Sequence, residues 1–249
     1  MTFLKTSYPS TSMNLAADEW LLQSCETSVT PREGFRLWEN PKHAVIIGRS
    51  SKIRNEAHLE YCHQHKIDVH RRVSGGASVV IGPGCLMYAV VLDYRLRPHL
   101  RAIDQAHRFV MLNVKAAVEA CDIQVDYQGI CDLTYADCKF SGNSLRCQQN
   151  CLLYHGTILY GFDLQRLHDC LGTPPRQPEY RQGRDHRSFV TNLPVAVDAL
   201  RQALQTTWQQ AINCQPQGQV DSETLLEQEQ QIRELAETKY ESTAWNFKR

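Results

Sequence analysis

The chain has 249 residues, and its 27 Lys and Arg are balanced by 27 Asp and Glu, so the formal net charge is zero. At 42% hydrophobic and 22% charged it is ordinary globular material, long enough for a substantial core. The zero balance argues against nucleic acid as the main partner, because that binding is driven by an excess of Lys and Arg. No apolar run reaches the roughly 20 residues needed to span a bilayer. The opening Met1 to Asn14 lacks the apolar stretch of a secretory signal. A cytoplasmic protein with no membrane partner is the expectation.

In chain order, Asn14 to Leu22 reads as a short helix that Asn14 or Ser12 caps. Phe35 to Trp38 and Ala44 to Ile47 are strand-like, Asn55 to His65 is helical in composition, and Ile67 to His70 is extended. Ser78 to Val80 and Leu86 to Leu92 are apolar strands on either side of the turn Gly82-Pro83-Gly84. Ile103 to Cys121 has the clearest helical period, carried by Ile103, Ala106, Val110, Val114, Ala117 and Val118. Ile123 to Val125, Cys131 to Tyr135 and Cys151 to Tyr160 read as strands, and Asp163 to Leu171 as a helix. Pro174 to Leu193 is the longest irregular stretch, followed by helices over Val195 to Ala211 and Ser222 to Lys239. Without repeats or an internal linker, the pattern predicts one α/β domain over residues 1–249 with a mixed sheet flanked by helices.

Ten cysteines are present, but no paired CxxC knuckles. Buried thiols are expected rather than a structural metal or a disulfide framework. Three polar clusters stand out. In Arg71 to Ser78, two arginines flank a Ser74-Gly75-Gly76 turn whose backbone an anion can approach closely. The same residues suit a hairpin turn with surface arginines. In Asp137 to Arg146, Lys139 precedes a small polar stretch, which fits either an ammonium beside a carbonyl or phosphate, or a hairpin with a solvated lysine. His155-Gly156-Thr157 interrupts an apolar strand, as a close backbone approach or a satisfied core histidine would.

Taken in order, Arg71 to Ala77, Lys139 to Ser144 and His155 to Thr157 resemble the motifs of the lipoate–protein ligase and octanoyltransferase family. Met13 to Glu19, Val190 to Leu193 and Tyr240 to Phe247 resemble its opening helix, its adenylate-side loop and its closing segment. The resemblance implies the biotin/lipoate-ligase catalytic fold, related to class II aminoacyl-tRNA synthetases, with a largely antiparallel sheet. It also implies a function: lipoate or octanoate is activated with ATP and magnesium as an acyl adenylate, then passed to a lysine of a lipoyl carrier domain. In that scheme Arg72, Ser74, Gly75, Gly76, Ala77, Ser141, Gly142, Asn143, His155, Gly156 and Thr157 line the acyl-adenylate. Lys139 stabilises the charge that develops in the transition state. Leu86 to Leu92 and Leu152 to Leu159 are expected to wall the acyl tail.

There are departures. The usual third glycine is Ala77, and Gly82-Pro83-Gly84 is similar to a turn of one octanoyltransferase class. The chain stops where bacterial ligases begin an accessory domain, so no such domain is expected. Some relatives rely on a separate accessory chain, which is a further expected partner. Octanoyltransferases need no ATP and pass the acyl group through a cysteine. Gly129-Ile130-Cys131 is similar to the segment that carries it, and a nearby Lys139 is expected to lower the Cys131 pKa. Cys151 is one residue away from the other class's cysteine position. ATP-dependent ligation is therefore the first expectation and octanoyl transfer through Cys131 the alternative. The third is a non-catalytic protein that only binds lipoyl domains.

Overall fold

Long apolar runs can be buried on both sides only at the middle of a layered structure, and Leu86 to Leu92 and Leu152 to Leu159 take that place. The computed structural model describes residues 2–3, 7–173, 177–212 and 222–248. Its strands are β1 (Thr2–Phe3), β2 (Gly34–Glu39), β3 (Ala44–Ile47), β4 (Asp68–Arg71) and β5 (Val79–Ile81). They continue with β6 (Cys85–Asp93), β7 (Asp126–Gln128), β8 (Asp132–Tyr135), β9 (Cys138–Cys147) and β10 (Cys151–Leu159). The larger sheet has the order β1-β2-β6-β10-β9-β8-β7 and the smaller β4-β3-β5. Only β1 beside β2 and β3 beside β4 run parallel.

The helices are α1 (Thr11–Glu26), α2 (Ile53–Glu56), α3 (Leu59–Gln64), α4 (Ile103–Glu119), α5 (Gln165–Cys170) and α6 (His186–Phe189). They are followed by α7 (Val197–Ala211), α8 (Ser222–Leu235) and α9 (Thr243–Asn246), with a π-type turn at Ala236–Tyr240. Ser10 caps α1 by accepting from the Met13 amide at 3.2 Å, so this helix starts earlier than its apolar run suggests. No helix among the described residues is long and apolar enough to cross a membrane.

The larger sheet has two covered faces. On one, Leu86, Tyr88, Val90, Leu152, Tyr154 and Ile158 pack under α4 and α7. On the other, Met87, Ala89, Val91, Leu153 and Leu159 join α1, α8 and the small sheet. Alternation along β6 and β10 produces this division. The stripe Ala106, Val110, Val114, Ala117 and Val118 of α4 is fully buried, at about 1.5–3 kcal/mol for each valine.

Three expectations need correction. The small polar stretch after Lys139 is not a turn: it lies within the ten-residue β9, which pairs with β8 and β10. Its glycine is there to make room. A Cβ on Gly142 would sit 3.0 Å from Lys139 Cε, and one on Gly156, which pairs with Asn143, would sit 1.7 Å from Asn143 Oδ1. The Arg71 to Ser78 segment is not a hairpin either, because β4 and β5 lie on opposite sides of β3. The strand expected at Ile123 to Val125 begins at Asp126 instead. Residues 174–176 of the irregular segment and Cys214 lie outside the described residues.

The turn between β8 and β9 is two residues long, Ala136 and Asp137, with φ of +48° and +59°. This is the backbone of a type I′ hairpin, which disfavours alanine at its first position. Ala136→Asn is expected to stabilise the protein by about 0.5–1 kcal/mol. Thermal denaturation should show this as a rise in Tm of about 1–4 °C.

Candidate active site

Between the larger sheet and the small sheet lies a cavity of about 1060 Å³, counting its open mouth. Leu15, Ile46, Val80, Met87, Leu159 and Leu171 form its apolar part. Of the two strands expected to wall an acyl tail, only Met87, Leu159 and the His155 to Thr157 segment reach it, because alternate residues turn toward α4 and α7.

Lys139 reaches this cavity through an irregularity. Pairing of β8 with β9 runs Leu133 to Ser141 and then Thr134 to Lys139, so Phe140 is an extra residue, a β-bulge. In an unbroken strand Lys139 would share a face with Ser141, whose buried side chain lies under α4. The bulge turns it to the other face, over Gly142. Its backbone is fixed by a parallel bridge to Val190, and its carbonyl accepts from the Thr191 amide at 3.0 Å. Its ammonium pairs with Asp132 Oδ1 at 2.7 Å, and Asp132 Oδ2 accepts from the Tyr180 hydroxyl at 2.7 Å.

The segment from Arg71 to Ala77 faces Lys139 across the cavity and is held from behind. The carbonyl of Ser74 accepts from the Arg49 amide at 2.8 Å, that of Gly75 from Ser144 Oγ at 2.9 Å, and that of Gly76 from Ser51 Oγ at 3.1 Å. With the carbonyls engaged, the amides of Gly75, Gly76 and Ala77 meet no acceptor among the described residues, and Gly76 and Ala77 line the cavity. Such a run of amides is a site for an anion. Gly76 adopts φ +83°, a conformation glycine takes without strain.

Arg72 borders the cavity but directs hydrogen bonds from all three of its nitrogens to the protein. It bonds Ser74 Oγ at 3.0 Å, the Ile46 carbonyl at 3.1 Å and the Ala77 carbonyl at 2.9 Å, and it also bonds the Gly75 carbonyl. Burial pulls its guanidinium down to about 10, against the pull of Glu56. Its part is to shape the loop. Arg71 is anchored from the far end of the sequence: its amide donates to Asn246 Oδ1 at 2.9 Å, and its carbonyl accepts from Trp245 Nε1 at 2.7 Å. Its own Nη1 reaches the Gly48 carbonyl at 2.7 Å.

His155 belongs to a buried chain. Its Nε2 shares a 2.5 Å hydrogen bond with Ser74 Oγ, and its Nδ1 lies 3.4 Å from Asp18 Oδ2. Asp18 Oδ1 pairs with Arg36 at 2.7 Å, both side chains being out of solvent. A proton on Nδ1 facing the carboxylate leaves Nε2 to accept from Ser74, so the chain fixes the loop against β10 and α1. Thr157 Oγ1 lies 3.3 Å from the Gly142 amide.

Other expected site residues fall elsewhere. Asn143 turns its amide to the helical face, where Nδ2 bonds the Cys131 carbonyl at 2.7 Å and Ser141 Oγ at 3.1 Å, so only its backbone borders the cavity. Cys131 lies in the turn that precedes β8 and packs against the core under α4 and α7, on the opposite side of the sheet, its Sγ 3.2 Å from the Asn143 carbonyl. The Cys131 thiol is not lowered as expected. Burial pushes it up to about 11, Asp132 adds to the rise, and Lys139 only partly opposes it. Cys151 shares the face of His155 but lies four residues down the strand, roughly 13 Å away, with Sγ 3.4 Å from Glu26 Oε2. Asp18, Arg36, Asp132 and Tyr180 were not anticipated. Asp132 sits at an alternation-matched position across from Gly142, a signal visible only once β9 is known to be a strand.

Comparison with known proteins gives a consistent result. The model of the lipoyl protein ligase A/B catalytic domain matches residues 10–212. Lipoate–protein ligase 1 of Staphylococcus aureus is 23% identical over 96% of this chain and 70% of its own length. Octanoyltransferase LipM of Geobacillus kaustophilus is 24% identical over 99% of this chain and 98% of its own. Among solved structures, a bi-partite lipoate protein ligase from Thermoplasma acidophilum, described with its E2 lipoyl domain, superposes with a TM-score of 0.80 at 23% identity. That superposition covers 97% of this chain and 93% of the other. The fold is thus that of the lipoate–protein ligases, and with the family model spanning most of its length the chain belongs to the lipoyl protein ligase A/B catalytic domain family.

Proposed function

We propose that the protein is an ATP-dependent lipoate–protein ligase. The observation that carries this reading is the sorting of residues by sheet face. Lys139 and the free amides of the Gly75 to Ala77 loop converge on one cavity, while Cys131 lies across the sheet with its thiol pushed up to about 11. A thioester route needs a thiolate within reach of the acyl carbon, and an adenylate route needs cationic and amide donors around a phosphate.

In this reading the apolar part of the cavity holds the acyl tail, each buried methylene contributing roughly 0.8 kcal/mol. A carboxylate carbon resists nucleophiles, so the carboxylate oxygen first attacks the α-phosphorus of ATP and expels pyrophosphate. Magnesium arrives with the triphosphate and screens its charge. The lysine amine of a lipoyl carrier domain then attacks the acyl carbon, loses a proton, and AMP leaves. Lys139, drawn from Asp132 by the incoming phosphate, stabilises the oxygen charge that grows in the tetrahedral transition state. The loop amides hold the phosphate, and the Arg36–Asp18–His155–Ser74 chain keeps that loop in place.

Octanoyl transfer through Cys131 is the second reading. It is favoured by the end-to-end match with an octanoyltransferase, and it requires the 129–131 segment to rearrange.

Lipoate- or octanoate-dependent ATP–pyrophosphate exchange by the purified chain is the expected result, and its absence moves the weight to Cys131 or to a ligase that needs an accessory chain. Lys139→Ala should lower acyl transfer to a lipoyl domain by about 10²–10³-fold or more, whereas unimpaired turnover removes Lys139 from the reaction and sinks this reading. Cys131→Ser should keep both exchange and transfer, and a folded but inactive Cys131→Ser protein reverses the choice between the two routes.

A further inference from the structure

Four arginines are buried among the described residues, and three direct donors to the protein itself. Arg36 is paired with Asp18, while Arg71 and Arg72 hold backbone carbonyls. Arg181 differs. It ends the short 3-10 turn Glu179–Arg181, is only 4% exposed, and borders the cavity beside His186 and Phe189. Its Nε donates to the Arg184 carbonyl at 2.8 Å, and its guanidinium lies 4.8 Å from the centre of the Phe189 ring. Neither terminal nitrogen meets an acceptor among the described residues, and no carboxylate stands at ion-pair distance.

The surroundings do not compensate the charge. Burial lowers the Arg181 pKa, with Asp185 opposing it and Arg184 adding to it. The imidazole of His186 is pushed down to about 4 by burial and then by Arg181 and His168, so it stays neutral near pH 7. The terminal nitrogens are not shut off from the open space of the cavity, and an enclosed cation without a counter-ion is best satisfied there by a ligand that supplies the missing charge. Two parallel N–H groups on a planar fork match two oxygens of a phosphate.

We infer that Arg181 is a phosphate-binding residue of this cavity, presenting its two terminal nitrogens to the phosphoryl oxygens of the substrate. The neighbouring Tyr180 holds Asp132, the present partner of Lys139, so one turn of chain controls both cations. Two molecules carry that chemistry to an acyl-transfer site: an acyl adenylate, and a phosphopantetheine thioester. The inference rests on the proposed acyl-transfer reading only for which of the two it is.

The test uses the full chain with wild-type, Arg181→Met, Arg181→Lys and, as a control in the same segment, the exposed Arg187→Gln. Calorimetric titration follows three probes: octanoate, a non-hydrolysable octanoyl adenylate analogue that retains the phosphoryl charge, and octanoyl phosphopantetheine. Arg181→Met is expected to lose about 10- to 100-fold in affinity for one phosphorylated probe. Arg181→Lys should lose less, and octanoate affinity should stay level in every variant. The probe that responds names the source. Because the terminal nitrogens of the wild-type cation meet no acceptor, and methionine keeps contact with the Phe189 ring, Arg181→Met should melt at or above the wild-type temperature, whereas removing a structural arginine lowers it. Unchanged affinity for both phosphorylated probes, or a clear drop in melting temperature, overturns the inference. Absence of ATP–pyrophosphate exchange with the Arg181 effect intact counts against ligation by this chain alone and leaves the inference standing.

Discussion

Each residue of a β-strand is committed to one of two faces, and in the larger sheet those faces have different environments. One lies under α4 and α7, and the other opens onto the cavity. Period two therefore sorts the polar residues of β8, β9 and β10 before any chemistry is considered. Asp132, Gly142, Ser144, His155 and Thr157 fall on the cavity side, and Ser141 and Asn143 on the helical side. Lys139 has the parity of the helical side and crosses over only because Phe140 is an extra residue in β9. The bulge places a charge where it can act, while the large Phe140 side chain stays in the apolar layer.

Two polar chains frame the cavity, and they differ in burial. Arg36, Asp18, His155 and Ser74 are shut away from solvent and satisfied by one another. Ion pairs so deeply placed contribute little net stability after desolvation. Their use here is geometric, since they bind β2, α1, β10 and the anion loop into one register. Lys139, Asp132 and Tyr180 are more open, with the lysine side chain 28% exposed. That pair can be parted when a stronger anion arrives, whereas the deeper one cannot without stranding a charge.

Much of the fold was legible in the sequence because the signals were local. The period of α4 and the apolar runs of β6 and β10 gave those elements nearly to the residue. The motif order likewise brought Lys139, His155 and the Gly75-Gly76 loop to one cavity. What escaped depended on pairing. Gly142 looks like a turn residue by composition, yet it makes room for Lys139 within a strand, and the close approach legible at Gly156 comes from Asn143, a neighbour known only once the sheet forms. The same holds for Cys131 and Asn143, whose orientation follows from their place in the sheet rather than residue type, and for Asp18 and Arg36, which meet His155 only in three dimensions.

The tie between Arg71 and the closing segment has a consequence for how the protein is made. Asn246 and Trp245 reach a residue 175 and 174 positions earlier, at the start of the Arg71 to Ala77 segment. A chain growing from its N-terminus builds both sheets and α4 before those partners leave the ribosome. During that interval the loop has its own braces from Arg72 and Ser51 but not the clasp on Arg71. The clasp on Arg71 thus forms after the sheets, and a nascent chain holds the frame of the cavity before it can hold a ligand firmly.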